Sequence, residues 1–132
     1  MGKNTYISLK KKALPNRINI VVSETLFNEL NILRFIVYEG FFIFKNLKEA
    51  KEYADLVTSK NDGKIWIIGG AQLYESCVKD YEIKNAYITK VQCNFNCDVF
   101  LGENTKKLIS NCEWKNINNK KKDNLNYTFM DT

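Results

Sequence analysis

The sequence predicts an α/β fold: a mostly parallel, twisted sheet with flanking helices and an antiparallel hairpin at its C-terminal end. Three observations carry that reading. Ile65-Trp66-Ile67-Ile68 is an unbroken apolar run, the pattern of a strand buried on both faces. The run stops at Gly69-Gly70, and an amphipathic helical pattern starts at once, as at a strand-to-helix turn. Along the rest of the chain strand-like and helix-like periodicities alternate, which is the order of a parallel sheet with crossover helices.

The elements follow in order. Residues 4–10 read as a short helix or turn that fades into Lys10-Lys11-Lys12. After the turn signal Leu14-Pro15-Asn16, residues 17–23 form a β-branched strand ending at a serine. Residues 34–44 are a strand region bulged or broken at Gly40. Asn46 and Glu49 make a capping box, and the helix they open carries Leu47, Ala50, Ala54 and Val57 on one face. It ends by Asn61-Asp62-Gly63. Residues 64–68 are the buried strand, and 71–78 a helix with Leu73, Cys77 and Val78 inward. A strand at 85–93 precedes a hairpin of 113–119 and 124–130 across Lys120-Lys121-Lys122. No repeat or linker divides the chain, so one domain is expected over 1–132.

A length of 132 residues, 45% of them hydrophobic, leaves room for one real core. The net charge of +5 suits an anionic ligand such as a phosphorylated nucleotide. The basic residues are dispersed, and Lys120-Lys121-Lys122 sits among asparagines like a solvated turn, so no nucleic-acid partner is expected. Cys77, Cys93, Cys97 and Cys112 lack zinc-site spacing and there is no histidine, so no metal is expected. The lack of histidine also excludes a Ser-His-Asp triad. With no signal peptide and no long apolar run, reduced thiols in the cytoplasm and no membrane contact are the expectation.

Gly69-Gly70 removes two Cβ atoms where a helix would aim its free N–H groups, a geometry that suits phosphate. A plain turn explains a glycine pair too, so the weight rests on its company. That company is Met1-Gly2-Lys3-Asn4-Thr5-Tyr6, then Leu14-Pro15-Asn16-Arg17 leading to Val21-Val22-Ser23, then Tyr87-Ile88-Thr89-Lys90-Val91 and Cys97-Asp98-Val99-Phe100. In this order and spacing the blocks resemble dihydrofolate reductases, from Met1 to about Leu101 and more faintly beyond.

The resemblance implies residue roles. Lys3, Asn4 and Thr5 would contact the phosphates of NADPH, with Gly69, Gly70, Ala71, Gln72 and Leu73 also beside the cofactor. Gly69-Gly70 would be a cis peptide. Ser23 and Lys45 would border the adenosine and its 2′-phosphate, where Glu24 replaces a residue that is often basic; Lys3 and Lys45 would offset that carboxylate. Leu14 would pack on the benzoyl ring of dihydrofolate, and Arg17 would pair with the glutamate α-carboxylate. Ile68 and Tyr74 would line the nicotinamide and pterin pocket. Thr89 would hydrogen-bond the pterin and the active-site acid, and Asp98 would steady a mobile loop.

The same resemblance implies a chain lacking roughly fifty residues that normally come first: a central strand, the mobile loop and the helix bearing that acid. Met1 would then be an internal methionine serving as a start. Glu75 and Asp98 lie near the right blocks but match other roles. A sheet without its central strand exposes two strand edges, so instability, self-association or a complementing N-terminal segment is expected. The function implied is NADPH-dependent reduction of dihydrofolate to tetrahydrofolate, in one-carbon and thymidylate metabolism. Two alternatives stay open: a non-catalytic nucleotide- or partner-binding remnant of the fold, and a pterin or riboflavin-pathway reductase.

Overall fold

Phe41-Phe42-Ile43-Phe44 is apolar at every position, the pattern of a strand covered on both faces. The computed structural model describes residues 1–30, 35–122 and 125–131 and bears this out. Along the chain run α1 (Lys3–Ser8), β1 (Asn19–Val22), α2 (Glu24–Glu29), β2 (Phe35–Tyr38), β3 (Phe41–Phe44) and α3 (Leu47–Asn61). They are followed by α4 (Ala71–Asp80), β4 (Tyr87–Val91), α5 (Glu103–Asn111), β5 (Lys115–Lys122) and β6 (Leu125–Asp131). The chain divides into two compact units, Met1–Leu73 and Tyr74–Thr132.

In the first unit β3 is the middle of a three-stranded sheet, β1-β3-β2. β1 runs parallel to it, from Asn19 opposite Phe41 to Val22 opposite Phe44, and β2 runs antiparallel. Glu39 and Gly40 join β2 to β3 with φ of 48° and 85°, the left-handed pair that a two-residue hairpin turn requires. Alternation along β3 sends Phe41 and Ile43 to one face, where with Val21 they meet Met1, Tyr6 of α1 and Leu26 of α2. The Tyr6 and Phe41 rings meet edge to face, 4.8 Å apart. Phe42 and Phe44 face the other way, onto Tyr53 of α3, at 5.2 and 5.3 Å. Val21, Phe41 and Ile43 are fully buried, each stabilising the unit by about 1.5–3 kcal/mol.

The capping box at Asn46 forms as the sequence predicts: its side chain accepts the Glu49 N–H at 2.9 Å. Ala50 and Ala54 are buried, and the helix stops at Asp62 in the left-handed conformation. α2 is not in the sequence reading, although Ser23 caps it by accepting the Leu26 N–H at 3.1 Å. The strand region before Phe44 is two strands, and its expected start at residue 34 lies outside the described residues.

Residues 64–68 correct the sequence reading most. They belong to no strand among the described residues, and Ile65, Trp66 and Ile68 are exposed, Trp66 by 61%. An apolar run reports that a segment needs cover, not that cover is present. With 64–68 outside the sheets, the described parallel pairings are β1 with β3 and an isolated bridge between Gly2 and Val22, and the remaining strand pairs are antiparallel.

The second unit holds the antiparallel sheet β4-β6-β5. Lys120-Lys121-Lys122 is not a turn but the end of β5, with Lys122 opposite Leu125; residues 123 and 124 lie outside the described set. Of the helix 71–78, Cys77 is buried as expected, while Leu73 and Val78 are half-buried. α5, absent from the sequence reading, is anchored by Glu75 of α4. One Glu75 oxygen accepts the backbone N–H and side-chain amide of Asn104 (2.9 and 2.7 Å), the other the N–H and hydroxyl of Thr105 (3.0 and 2.9 Å). Gly102 makes room for this, since a Cβ there would run into the Glu75 side chain. The N–H groups of Thr105 and then Asn104 hold the Glu75 carboxyl at about 2, below its ordinary 4.5.

Two outcomes test this account. Asn19 is 3% exposed and fixes the 14–19 turn, accepting the Leu14 N–H (2.9 Å) and donating to the carbonyls of Leu14 (2.9 Å) and Arg17 (3.0 Å). Asn19→Ala leaves those backbone groups without their partner and costs about 1–3 kcal/mol, read from the urea midpoint at unchanged slope. Because folding depresses the Glu75 pKa, its contribution is complete above pH 4.5 and is lost as pH falls through about 2. In an NMR titration the Asn104 and Thr105 amide shifts therefore move with a midpoint near 2, and a midpoint near 4.5 contradicts the clamp.

Candidate functional site

Parallel strands end on the same side of a sheet, and in open α/β sheets ligands bind beyond those carboxyl ends. Beyond β1 lie Ser23, Glu24 and Thr25; beyond β3 lies Lys45. The two ends are tied together by the Ser23 N–H, which donates to the Phe44 carbonyl at 3.0 Å. The chain's first residues lie along β1: the Val22 N–H donates to the Met1 carbonyl at 2.8 Å, and Gly2 forms a parallel bridge with Val22. Gly2 then donates its N–H to the Gly69 carbonyl at 2.8 Å. Four stretches distant in sequence thus meet at one end of the sheet.

Gly69 has φ of 109°, a conformation that side chains rarely adopt, and the Gly69–Gly70 peptide is cis, as the resemblance implies. Where a Gly70 side chain would project, the nearest atom is the Thr5 hydroxyl, 3.9 Å from the Cβ position. Bare backbone therefore faces open space with a hydroxyl beside it, and α4 begins at the next residue. Two ammonium groups belong to the same end of the sheet. Lys3 Nζ lies 3.1 Å from Glu29 and 3.4 Å from the Thr25 hydroxyl, and Lys45 Nζ lies 3.5 Å from Glu24. Both carboxylates are largely exposed, so each pair is worth about 1 kcal/mol or less and yields readily to a stronger anion. Bare backbone, hydroxyls and movable lysines are a donor set that fits a phosphorylated nucleotide.

The other expected residues fall as follows. Asn4 is exposed on α1, and Ser23 spends its hydroxyl on the α2 cap and on Thr25 at 3.2 Å. Ala71, Gln72 and Leu73 form the first turn of α4. Ile68 is exposed beside Gly69. Leu14 and Arg17 precede β1 and so stand at its opposite end; Arg17 is exposed, with its Nε donating to the Pro15 carbonyl at 2.8 Å. In the second unit Tyr74 is half-buried, with its phenol pKa raised by desolvation. Thr89 is exposed in mid-β4, opposite Phe129. Glu75 is committed to α5 and stays ionised at neutral pH, so it does not serve as a proton-holding acid. Asp98 is exposed. Sequence reading missed Thr25 and Glu29; the signal was Ser23-Glu24 ahead of Leu26, Phe27 and Leu30, a serine cap with an acidic first turn.

Among the described residues no helix is long and apolar enough to cross a membrane, and no cluster of metal-ligating side chains occurs. The family model for dihydrofolate reductase matches residues 1–132. Dihydrofolate reductase from Drosophila melanogaster is 34% identical over 103 residues, which cover 76% of this chain and 52% of the fly enzyme. The bifunctional dihydrofolate reductase-thymidylate synthase of Plasmodium berghei is 32% identical over 111 residues, covering 83% of this chain and 19% of that protein. Among solved structures, Schistosoma mansoni dihydrofolate reductase superposes with a TM-score of 0.67 at 21% identity, over 99% of this chain and 70% of that one. The chain thus spans about half the length of the fly enzyme, and the fold it shares with the schistosome structure is α/β with a small mixed sheet. A match over its whole length places this chain in the dihydrofolate reductase family.

Proposed function

We propose that the chain carries the dinucleotide- and folate-holding part of a dihydrofolate reductase, reducing dihydrofolate to tetrahydrofolate with NADPH, for one-carbon and thymidylate metabolism. The observation that carries this is the meeting of Gly2, Thr5, Gly69, Gly70, Lys3 and Lys45 beyond the carboxyl ends of β1 and β3. Bound NADPH would supply the hydride. Thr5, Lys3 and the Gly69–Gly70 backbone hold phosphate oxygens, with Asn4 and Ala71–Leu73 alongside, and Ser23 and Lys45 border the adenosine. Leu14 and Arg17 hold the benzoyl-glutamate, Ile68 serves the ring end of the substrate, and Tyr74 and Thr89 of the second unit keep the substrate roles that the resemblance gives them. In this reading both units belong to one reductase-like domain in a reducing cytoplasm, where the free cysteines stay reduced.

The proton-promoting acid is supplied in this reading by a complementing segment, since Glu75 is a helix clamp held ionised. Exposed Ile65, Trp66 and Ile68 support such a partner, because an apolar run of that length is stabilised by an added strand. Those same exposed side chains favour a second reading, a non-catalytic remnant that binds nucleotide or a partner chain, or that self-associates.

Steady-state NADPH oxidation with dihydrofolate separates the readings. The chain turns over only when a segment supplying a strand and a carboxylic acid is joined to it or added; turnover by the chain alone overturns the need for that acid. In the complemented form Arg17→Ala raises KM for dihydrofolate about 10- to 100-fold, the loss of a charge-assisted hydrogen bond, and leaves a substrate without the glutamate tail unaffected. An equal effect on both substrates would favour a pterin or riboflavin-pathway reductase.

A further inference from the structure

We propose that Glu24 sets the cofactor preference of this site, so that the chain accepts NADH on at least equal terms with NADPH. The inference rests on the dinucleotide reading above and concerns which dinucleotide is taken. Both lysines at the carboxyl ends of β1 and β3 are matched by carboxylates of α2: Lys3 by Glu29 at 3.1 Å, Lys45 by Glu24 at 3.5 Å. Two positive and two negative charges sum to zero, so these two ion pairs carry no net charge, although the chain as a whole is at +5.

A pyrophosphate bridge and a phosphate monoester make different demands on such a place. Both dinucleotides carry the bridge, which can also draw on the backbone at Gly69–Gly70 and the Thr5 hydroxyl. Only NADPH carries the monoester, about −1.5 to −2 in charge at neutral pH. Placed near Lys45 it meets Glu24 as well, and drawing Lys45 away leaves the Glu24 carboxylate facing a second anion. Coulomb repulsion of this kind is worth about 1 kcal/mol per unit of charge at contact distances even in water, about fivefold in affinity, and so about tenfold or more for the monoester. A free ribose 2′-hydroxyl has the opposite character: it is a donor, and a carboxylate two residues past a parallel strand is a natural acceptor for it. Lys45 then stays with Glu24, and no charge is left without a partner.

Glu24 and Glu29 differ in what they should affect. Glu29 pairs with Lys3 and Glu24 with Lys45; in the dinucleotide reading Lys3 serves the bridge common to both dinucleotides, and Lys45 meets only the monoester. The test is calorimetric titration of the full chain, and of Glu24→Gln and Glu29→Gln, with NADH and NADPH at fixed low ionic strength. The side chains of Glu24 and Glu29 are 65% and 60% exposed, and thermal melts of each variant check that the fold is kept. Expected are a wild-type Kd for NADH no weaker than that for NADPH, about tenfold tighter NADPH binding in Glu24→Gln with NADH changed less than twofold, and equal changes for both ligands in Glu29→Gln. Wild-type preference for NADPH above tenfold, or a Glu24→Gln variant with an unchanged ratio, overturns the inference and leaves the dinucleotide reading standing. Failure of wild type and both variants to bind either dinucleotide overturns the two together. Should Glu24→Gln not fold, Glu24→Ser under the same comparison decides the question.

Discussion

The parallel pairing of β1 with β3, with Met1 and Gly2 laid along β1, is the constraint on which the rest of the first unit depends. It brings Ser23 and Lys45 to the same side of the sheet and carries the first turn of α1 to the Gly69–Gly70 backbone. It also orients the strand faces, so that Val21, Phe41 and Ile43 meet α1 and α2 while Phe42 and Phe44 meet α3. A one-residue slip would exchange those faces and shift Lys45 relative to Ser23 in the same step. Core packing and site assembly are therefore one energetic event, which is why a site built from four distant stretches needs no special device to hold it.

How far this was legible in the sequence depended on whether a signal was local. The Asn46 cap, the stop at Asp62 and the β-branched run of β1 are decided within a few residues, and each appears where expected. The hairpin turn at Glu39-Gly40 was legible only as an interruption, because a glycine alone does not separate a bulge from a turn. α2 and α5 were missed for different reasons. α2 is a six-residue helix whose serine cap was read as a strand end, whereas α5 takes its cap from Glu75, some thirty residues earlier, which no local pattern reveals. Residues 64–68 show the limit in the other direction: hydrophobicity states a demand for burial, and whether it is met depends on chain that must come from elsewhere in space.

Of the candidate site, the glycines, Lys3 and Lys45 were legible through their place in ordered blocks. Of their ion-pair partners, Glu24 was legible as the carboxylate that Lys3 and Lys45 would offset, and Glu29 was not. Glu24 and Glu29 become part of the site only once α2 exists and turns both carboxylates toward the ends of β1 and β3. Glu75 changed role for the same reason: as a residue type it was a candidate acid, and four hydrogen bonds make it a structural anion instead. Residue identity limits the chemistry available at a position, and the neighbours select which part of it is used.

The measurement that tests the central claim most directly is an amide NMR titration of the uniformly labelled chain with NADPH. Shifts concentrated at Gly2, Lys3, Thr5, Ser23, Glu24, Lys45 and the Gly69–Gly70 turn are the predicted result, since these groups converge beyond β1 and β3. Shifts centred on the 10–17 loop or on Lys120–Lys122, with those residues unmoved, would contradict it.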